Sequence, residues 1–186
     1  MRSWLAWMGV ALVFAMPLAA QPGSSAGAPA PSERLVGRFV RDAAASDDVP
    51  AAIERAVAQM SFVTRGIGRS RLKATNQPPA DVRFALPPDS IVVQYAGQPE
   101  LRARRDGSPR EWRNAAGEPF QARVTVATSP DGSVTVRQVF EAEDGRRENA
   151  WRLEAAGTTL TLDVTVSSPR LPQPLRYRHV FRSAAR

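Results

Sequence analysis

Cysteine is missing from the 186 residues, and histidine and lysine occur once each, as His179 and Lys73. Without cysteine there is no disulfide framework, no thiolate nucleophile, no iron–sulfur cluster and no Cys/His zinc site. One histidine excludes any catalysis that needs two. No Gly-x-Ser-x-Gly motif is present, so a hydrolase elbow is missing as well. Glycine (12) and proline (16) are too few for a collagen-like or low-complexity chain. Acidic residues do cluster, at Asp47-Asp48 and at Glu141, Glu143 and Asp144, but a helix cap and a turn explain them. Neither group has the spacing of a calcium loop or the separation of a glycosidase pair. The expectation is a non-enzymatic protein with no metal and no cofactor.

What is present is arginine. Lys+Arg is 25 against 18 acids, a formal charge of +7, and Lys73 is the sole basic residue that is not arginine. The arginines are scattered and interleaved with acids, without the basic stripe, stacking aromatics or reading motif of a nucleic-acid binder. No nucleic-acid partner is expected. A moderate positive field still favours anionic partners, including an acidic envelope surface.

The N-terminus carries an address. Met1-Arg2-Ser3 is charged, Trp4–Met16 is an uncharged apolar run, and Pro17-Leu18-Ala19-Ala20 supplies small residues before polar Gln21. This is the layout of a secretory signal peptide. The run is shorter than the roughly 20 residues a membrane-spanning helix needs. The reading is therefore a signal peptide at 1–20, a Pro/Ala/Gly/Ser spacer at 21–33 and a single β-barrel domain at 34–186. Removal of 1–20 takes away one charge, Arg2, and leaves +6 and no transmembrane anchor. The expected location is periplasmic or secreted.

Beyond the spacer, Leu35–Val40 reads as a strand. Asp47 and Asp48 then cap one helix near 50–66, with Ile53, Ala56, Val57, Met60, Val63 and Ile67 at helical spacing and Gly66 and Gly68 as stop signals. An amphipathic, membrane-surface helix is the alternative reading of that segment. From Asp81 the period becomes two: Val82/Phe84, Ile91/Val93/Tyr95, Val124/Val126, Val134/Val136/Phe140, Trp151/Leu153 and Leu160/Leu162/Val164/Val166 each mark a face, and a shorter candidate strand lies at Glu100–Arg104. Turns at Ser129-Pro130-Asp131-Gly132 and Glu143-Asp144-Gly145-Arg146 join them, and Leu175–Arg182 closes the series. Sequential hairpins predict a mainly β, antiparallel up-and-down meander. About eight strands would close into a small barrel with one α-helix near the N-terminus; a two-sheet sandwich is the alternative.

Leu35-Val36-Gly37-Arg38-Phe39 at the start, the chain of hairpins, and Tyr177-Arg178-His179-Val180-Phe181-Arg182 at the end resemble a lipocalin-type (calycin) barrel, with Phe39 where tryptophan is usual. The segment Val166–Leu175 is similar to exported bacterial proteins of no assigned function. The resemblance implies a barrel that binds a small apolar ligand, and no reaction. Strand alternation places Gln138, Phe140, Trp151, Tyr177, His179 and Phe181 inward, an apolar wall with a few polar groups, and these are the candidate ligand-binding residues. Arg176, Arg178 and Arg182 fall on the opposite face of the last strand. They support the other reading, a structural or interaction module that meets the envelope through a basic outer face.

Overall fold

The computed structural model describes residues 30–184; the expected signal peptide and residues 21–29 of the spacer lie outside the described residues. Residues 31–33, read as spacer, begin a short 3₁₀ turn at Pro31–Leu35, and Leu35 is fully buried. The elements that follow are β1 (Gly37–Asp42), α1 (Val49–Val57), α2 (Phe62–Thr75), β2 (Asp81–Ala85), β3 (Ser90–Tyr95), β4 (Leu101–Arg104), β5 (Arg110–Arg113), β6 (Pro119–Thr128), β7 (Val134–Ala142), β8 (Gly145–Leu153), β9 (Thr159–Ser167) and β10 (Leu175–Ser183).

Among the described residues all ten strands form one antiparallel sheet in the order β4-β3-β2-β1-β10-β9-β8-β7-β6-β5. The meander is as expected, but the strand number is ten rather than about eight. The strand that sequence reading missed is β5: four residues, Arg-Glu-Trp-Arg, with a single apolar side chain, show no alternation. Pairing of β1 with both β2 and β10 curls the sheet round. Its two edges, β4 and β5, approach without pairing along their length. The seam is tied by a bridge between Asp106 and Thr125, by Gly107 N–H donating to the Val124 carbonyl (3.0 Å), and by Arg110 donating to the Arg102 carbonyl (2.7 Å). The result is a nearly closed barrel.

The single helix expected near 50–66 is two helices. Asp48 accepts from Ala51 N–H (3.1 Å) and starts α1, whose Val49, Ala52, Ile53, Ala56 and Val57 are buried. The chain then turns at Ala58–Ser61. Arg65 donates to the Ala58 and Met60 carbonyls (2.7 and 2.9 Å), satisfying groups left open at the end of α1, and Ser61 caps α2. Gly66 and Gly68 therefore stand inside a helix, not at its end. At Gly68 the backbone passes so close to the Met60 thioether that an added Cβ would lie 3.1 Å from it. The apolar stripe splits accordingly: Val63 and Ile67 are 76% and 70% exposed instead of packed, and Phe62 is 91% exposed. No helix among the described residues is long and apolar enough to cross a membrane.

The antiparallel path gives the barrel two unlike ends. At one, here the floor, lie the β6–β7 and β8–β9 turns and the 3₁₀ turn, where the Arg34 guanidinium donates to the Gly132 and Ala155 carbonyls. Gly132, at φ +78°, makes the floor turn after Asp131. At the other, the rim, lie the β7–β8 turn, the β9–β10 loop and α2.

Candidate functional site

The inward faces show how differently the two ends are filled. Phe39, Phe84, Trp151 and Phe181 are each at most 1% exposed and make successive edge-on or tilted contacts, with centroids 6.3, 5.4 and 5.2 Å apart. Leu153, Leu160 and Val134 complete this packing toward the floor. Toward the rim a cavity of about 1150 Å³ opens between α2 and the strand ends, walled by Trp112, Phe120, Phe140, Leu162 and Val166 on the barrel side and by Ile67 and Leu72 on α2.

Strand β8 carries the transition between the two. Its inward positions run Trp151, Asn149, Arg147, from apolar core to cationic rim. The Gln138 side-chain oxygen accepts from Trp151 Nε1 (2.8 Å), from Asn149 (3.4 Å) and from the Tyr95 hydroxyl. Asn149 also donates to the Tyr95 oxygen (3.2 Å). Burial pushes the Tyr95 pKa up, so the phenol stays protonated and keeps its donor. Higher up, Arg147 donates to Asn149 Oδ1 (2.9 Å), to Asn76 Oδ1 (3.0 Å), to the Thr75 carbonyl (3.3 Å) and to the Tyr177 hydroxyl (3.2 Å). Tyr177 in turn donates to Asn76 Oδ1 (3.1 Å). The C-terminal end of α2 is thus pinned to the barrel wall through one half-buried guanidinium.

Of the six residues expected to bind a ligand, only Phe140 lines the cavity. Gln138, Trp151, Tyr177, His179 and Phe181 point inward as alternation required, but they are packed beneath or beside the cavity, each at most 5% exposed. Inward direction does not by itself mean access: aromatic side chains fill the lower barrel and leave no wall free. His179 is the extreme case, buried with neither ring nitrogen hydrogen-bonded. Burial, with Arg41 and Arg147 adding to it and Asp47 opposing, lowers its pKa to about 4, so it is neutral at pH 7.

The cavity residues that sequence reading passed over are Tyr95, Trp112, Arg147, Asn149 and Asn76. One signal for Arg147 was visible: it shares the parity of Trp151 on an alternating strand, where an arginine is out of place unless something polar meets it. Trp112 sits on the strand that alternation did not reveal. Its indole N–H is buried without a partner, and its ring lies against Phe140 (5.3 Å) and Phe120 (6.1 Å).

The outer face of β10 is also different from the expected basic stripe. Arg178 pairs with Asp163 (2.7 Å) and Arg182 with Asp42 (3.3 Å), leaving Arg176 as the exposed arginine of the three without an acidic partner among the described residues. Cross-strand pairing of β9 with β10 sets Asp163 directly opposite Arg178, which neutralises the stripe.

No family model matches the chain, and no curated protein matches it. Among solved structures it is similar to a fatty acid binding protein of Schistosoma mansoni in complex with arachidonic acid, with a TM-score of 0.50 and 13% identity. The match covers 82% of this chain and 97% of that chain. The likeness at that identity is one of fold, and the fold is a nearly closed, calycin-type antiparallel β-barrel with two helices near its N-terminus.

Proposed function

We propose that the protein is an exported, soluble carrier or sensor that holds one small apolar molecule in the rim cavity. The observation that carries this reading is the cavity itself. About 1150 Å³, with an inner wall of aromatic and aliphatic side chains and a mouth lined by polar and charged groups that include Glu118, Asp144 and Arg170, is close to the size and make-up of a small-molecule site. The fatty-acid-binding neighbour supports the same class of ligand. Export rests on the N-terminal charge and hydropathy pattern.

Titration with diphenylhexatriene, a neutral apolar probe whose emission rises on burial, tests the reading. One saturable site is expected, and Val166→Trp, which fills the cavity wall, should abolish it while the folded spectrum is kept. No saturable binding, or binding indifferent to Val166→Trp, would end the proposal. Intrinsic fluorescence should respond through Trp112, since Trp151 is sealed in the floor.

The envelope-surface reading has its own specific support, in a different place from the arginines of β10. Helix α2 exposes Phe62, Val63 and Ile67 beside Arg65 and Lys73, while Arg69 and Arg71 on the same helix pair with Glu54 and Asp144. Apolar side chains among cations suit an anionic bilayer surface. Sedimentation with phosphatidylglycerol vesicles should be lost in Phe62→Ser/Val63→Ser, two residues outside the cavity wall, and weakened by salt; a variant that sediments like the wild type removes this reading.

A further inference from the structure

We infer that the ligand's polar end is an anion held at the rim on Arg147, with the apolar chain directed into the cavity and away from the β7–β8 turn. The inference rests on the cavity being the ligand site, and it adds which chemistry is bound and which way round.

Arg147 lies two residues beyond the β7–β8 turn, so its guanidinium is at the rim and not deep in the barrel. It is half-buried, lines the cavity, and has no acidic partner among the described residues. Of the other arginines on the cavity, Arg146 pairs with Glu148 and Arg71 with Asp144, and Arg170, though without an acidic partner among the described residues, is exposed on the β9–β10 loop and not held against the wall. A guanidinium does not lose its proton to escape burial, so an unneutralised one at the edge of an apolar cavity carries a cost that an anion would relieve. All four partners of Arg147 are neutral acceptors. They fix the plane of the group and use four of its five N–H donors, leaving one donor and the whole charge for something else.

The Trp112 ring lines the same cavity, with its N–H buried and unpartnered. Phe140 links the two: it pairs with Arg147 across β7 and β8 and packs its ring on Trp112. The one free N–H of Arg147 and its charge seek an acceptor group such as a carboxylate, sulfate or phosphate oxygen, and the charge selects the ionised form. An amine would meet like charge. The remaining wall, Phe120, Phe140, Leu162 and Val166, suits an alkyl or isoprenoid chain.

Displacement of diphenylhexatriene by oleate, oleyl alcohol and oleylamine reads the headgroup preference. In the wild type oleate is expected to bind at least tenfold more tightly than the alcohol, and the amine weakest. Arg147→Met keeps the aliphatic stem; it should bring oleate down to the affinity of the alcohol, a ratio read within the variant against its own probe affinity, and an oleate preference that survives in the variant overturns the inference. Equal affinity for oleate and alcohol in the wild type, with the probe bound, overturns the inference and spares the cavity reading. Failure of the probe to bind overturns both. Arg147→Met also cuts contacts to α2, so orientation is read independently on the wild type. Bound 5-doxyl-stearate should broaden the amide signals of Ala142–Gly145 more than 16-doxyl-stearate does. The reverse order would place the headgroup inside and refute the rim assignment.

Discussion

The floor and the rim are made by the same ten strands, and they differ in what their inward side chains leave undone. In the floor and the packed layer above it the Gln138 oxygen accepts from three donors, and the polar atoms left without a partner, Gln138 Nε2, Ser133 Oγ and the two His179 ring nitrogens, are sealed inside the packing. At the rim a guanidinium has no counter-ion, an indole N–H has no acceptor, and α2 turns three apolar side chains to solvent. The lesson is that a barrel of this size holds both a packed core and an open cavity by dividing them along its axis. Floor residues hold the fold, and rim residues are left with chemistry that a ligand can complete.

The largest effect that would break this division is at the two tryptophans. Trp151→Ala removes a fully buried side chain and should cost about 3–5 kcal/mol in urea denaturation. Trp112→Ala, at a wall that already borders open space, should cost less than about 2 kcal/mol. Equal losses would mean that the rim is packed as tightly as the floor.

His179 gives a smaller effect, set by pH. Its folded pKa of about 4 lies below the ordinary value of 6.5, so between these values the unfolded chain binds the proton and the folded one does not. Stability from this group is complete above pH 6.5 and falls with pH by about 1.4 kcal/mol per unit, to a loss of about 3 kcal/mol near pH 4. Thermal melts at stepped pH should show that slope, and His179→Phe should flatten it. An unchanged slope in the variant would assign the acid sensitivity to other groups.

The smallest effect sharpens the description of the rim. Gly68→Ala should raise stability by up to about 1 kcal/mol through helix propensity, because the Met60 thioether that crowds the new methyl is flexible enough to move aside. The melting temperature decides it, and a clear drop would show that Met60 is held in place.

Much of this was legible in the sequence. From β6 to β10 long alternation and strong turns left one register, and the burial of Leu160, Leu162 and Val164 with Asp163 exposed follows it. The break in the helical segment is not legible because Ile53 through Ile67 keep one periodicity across it; Arg65 of the next helix reaches back to the Ala58 and Met60 carbonyls just past α1, a contact that periodicity does not show. The site was half legible for a related reason. Parity says which side chains point inward, but where the interior is full depends on how Phe39, Phe84, Trp151 and Phe181, from four different strands, meet.

The position of Arg34 has a practical consequence. By clasping the Gly132 and Ala155 carbonyls it brings the chain in beneath the floor, and β10 leaves there too, where Ala184 N–H donates to the Arg38 carbonyl (2.9 Å). Any linker, fusion partner or solid support attached where the chain enters or leaves the barrel therefore sits on the far side from the cavity. Immobilised this way, every molecule would present its opening to the bulk solution, an orientation that suits use as a capture reagent or an optical sensor without redesign of the binding wall.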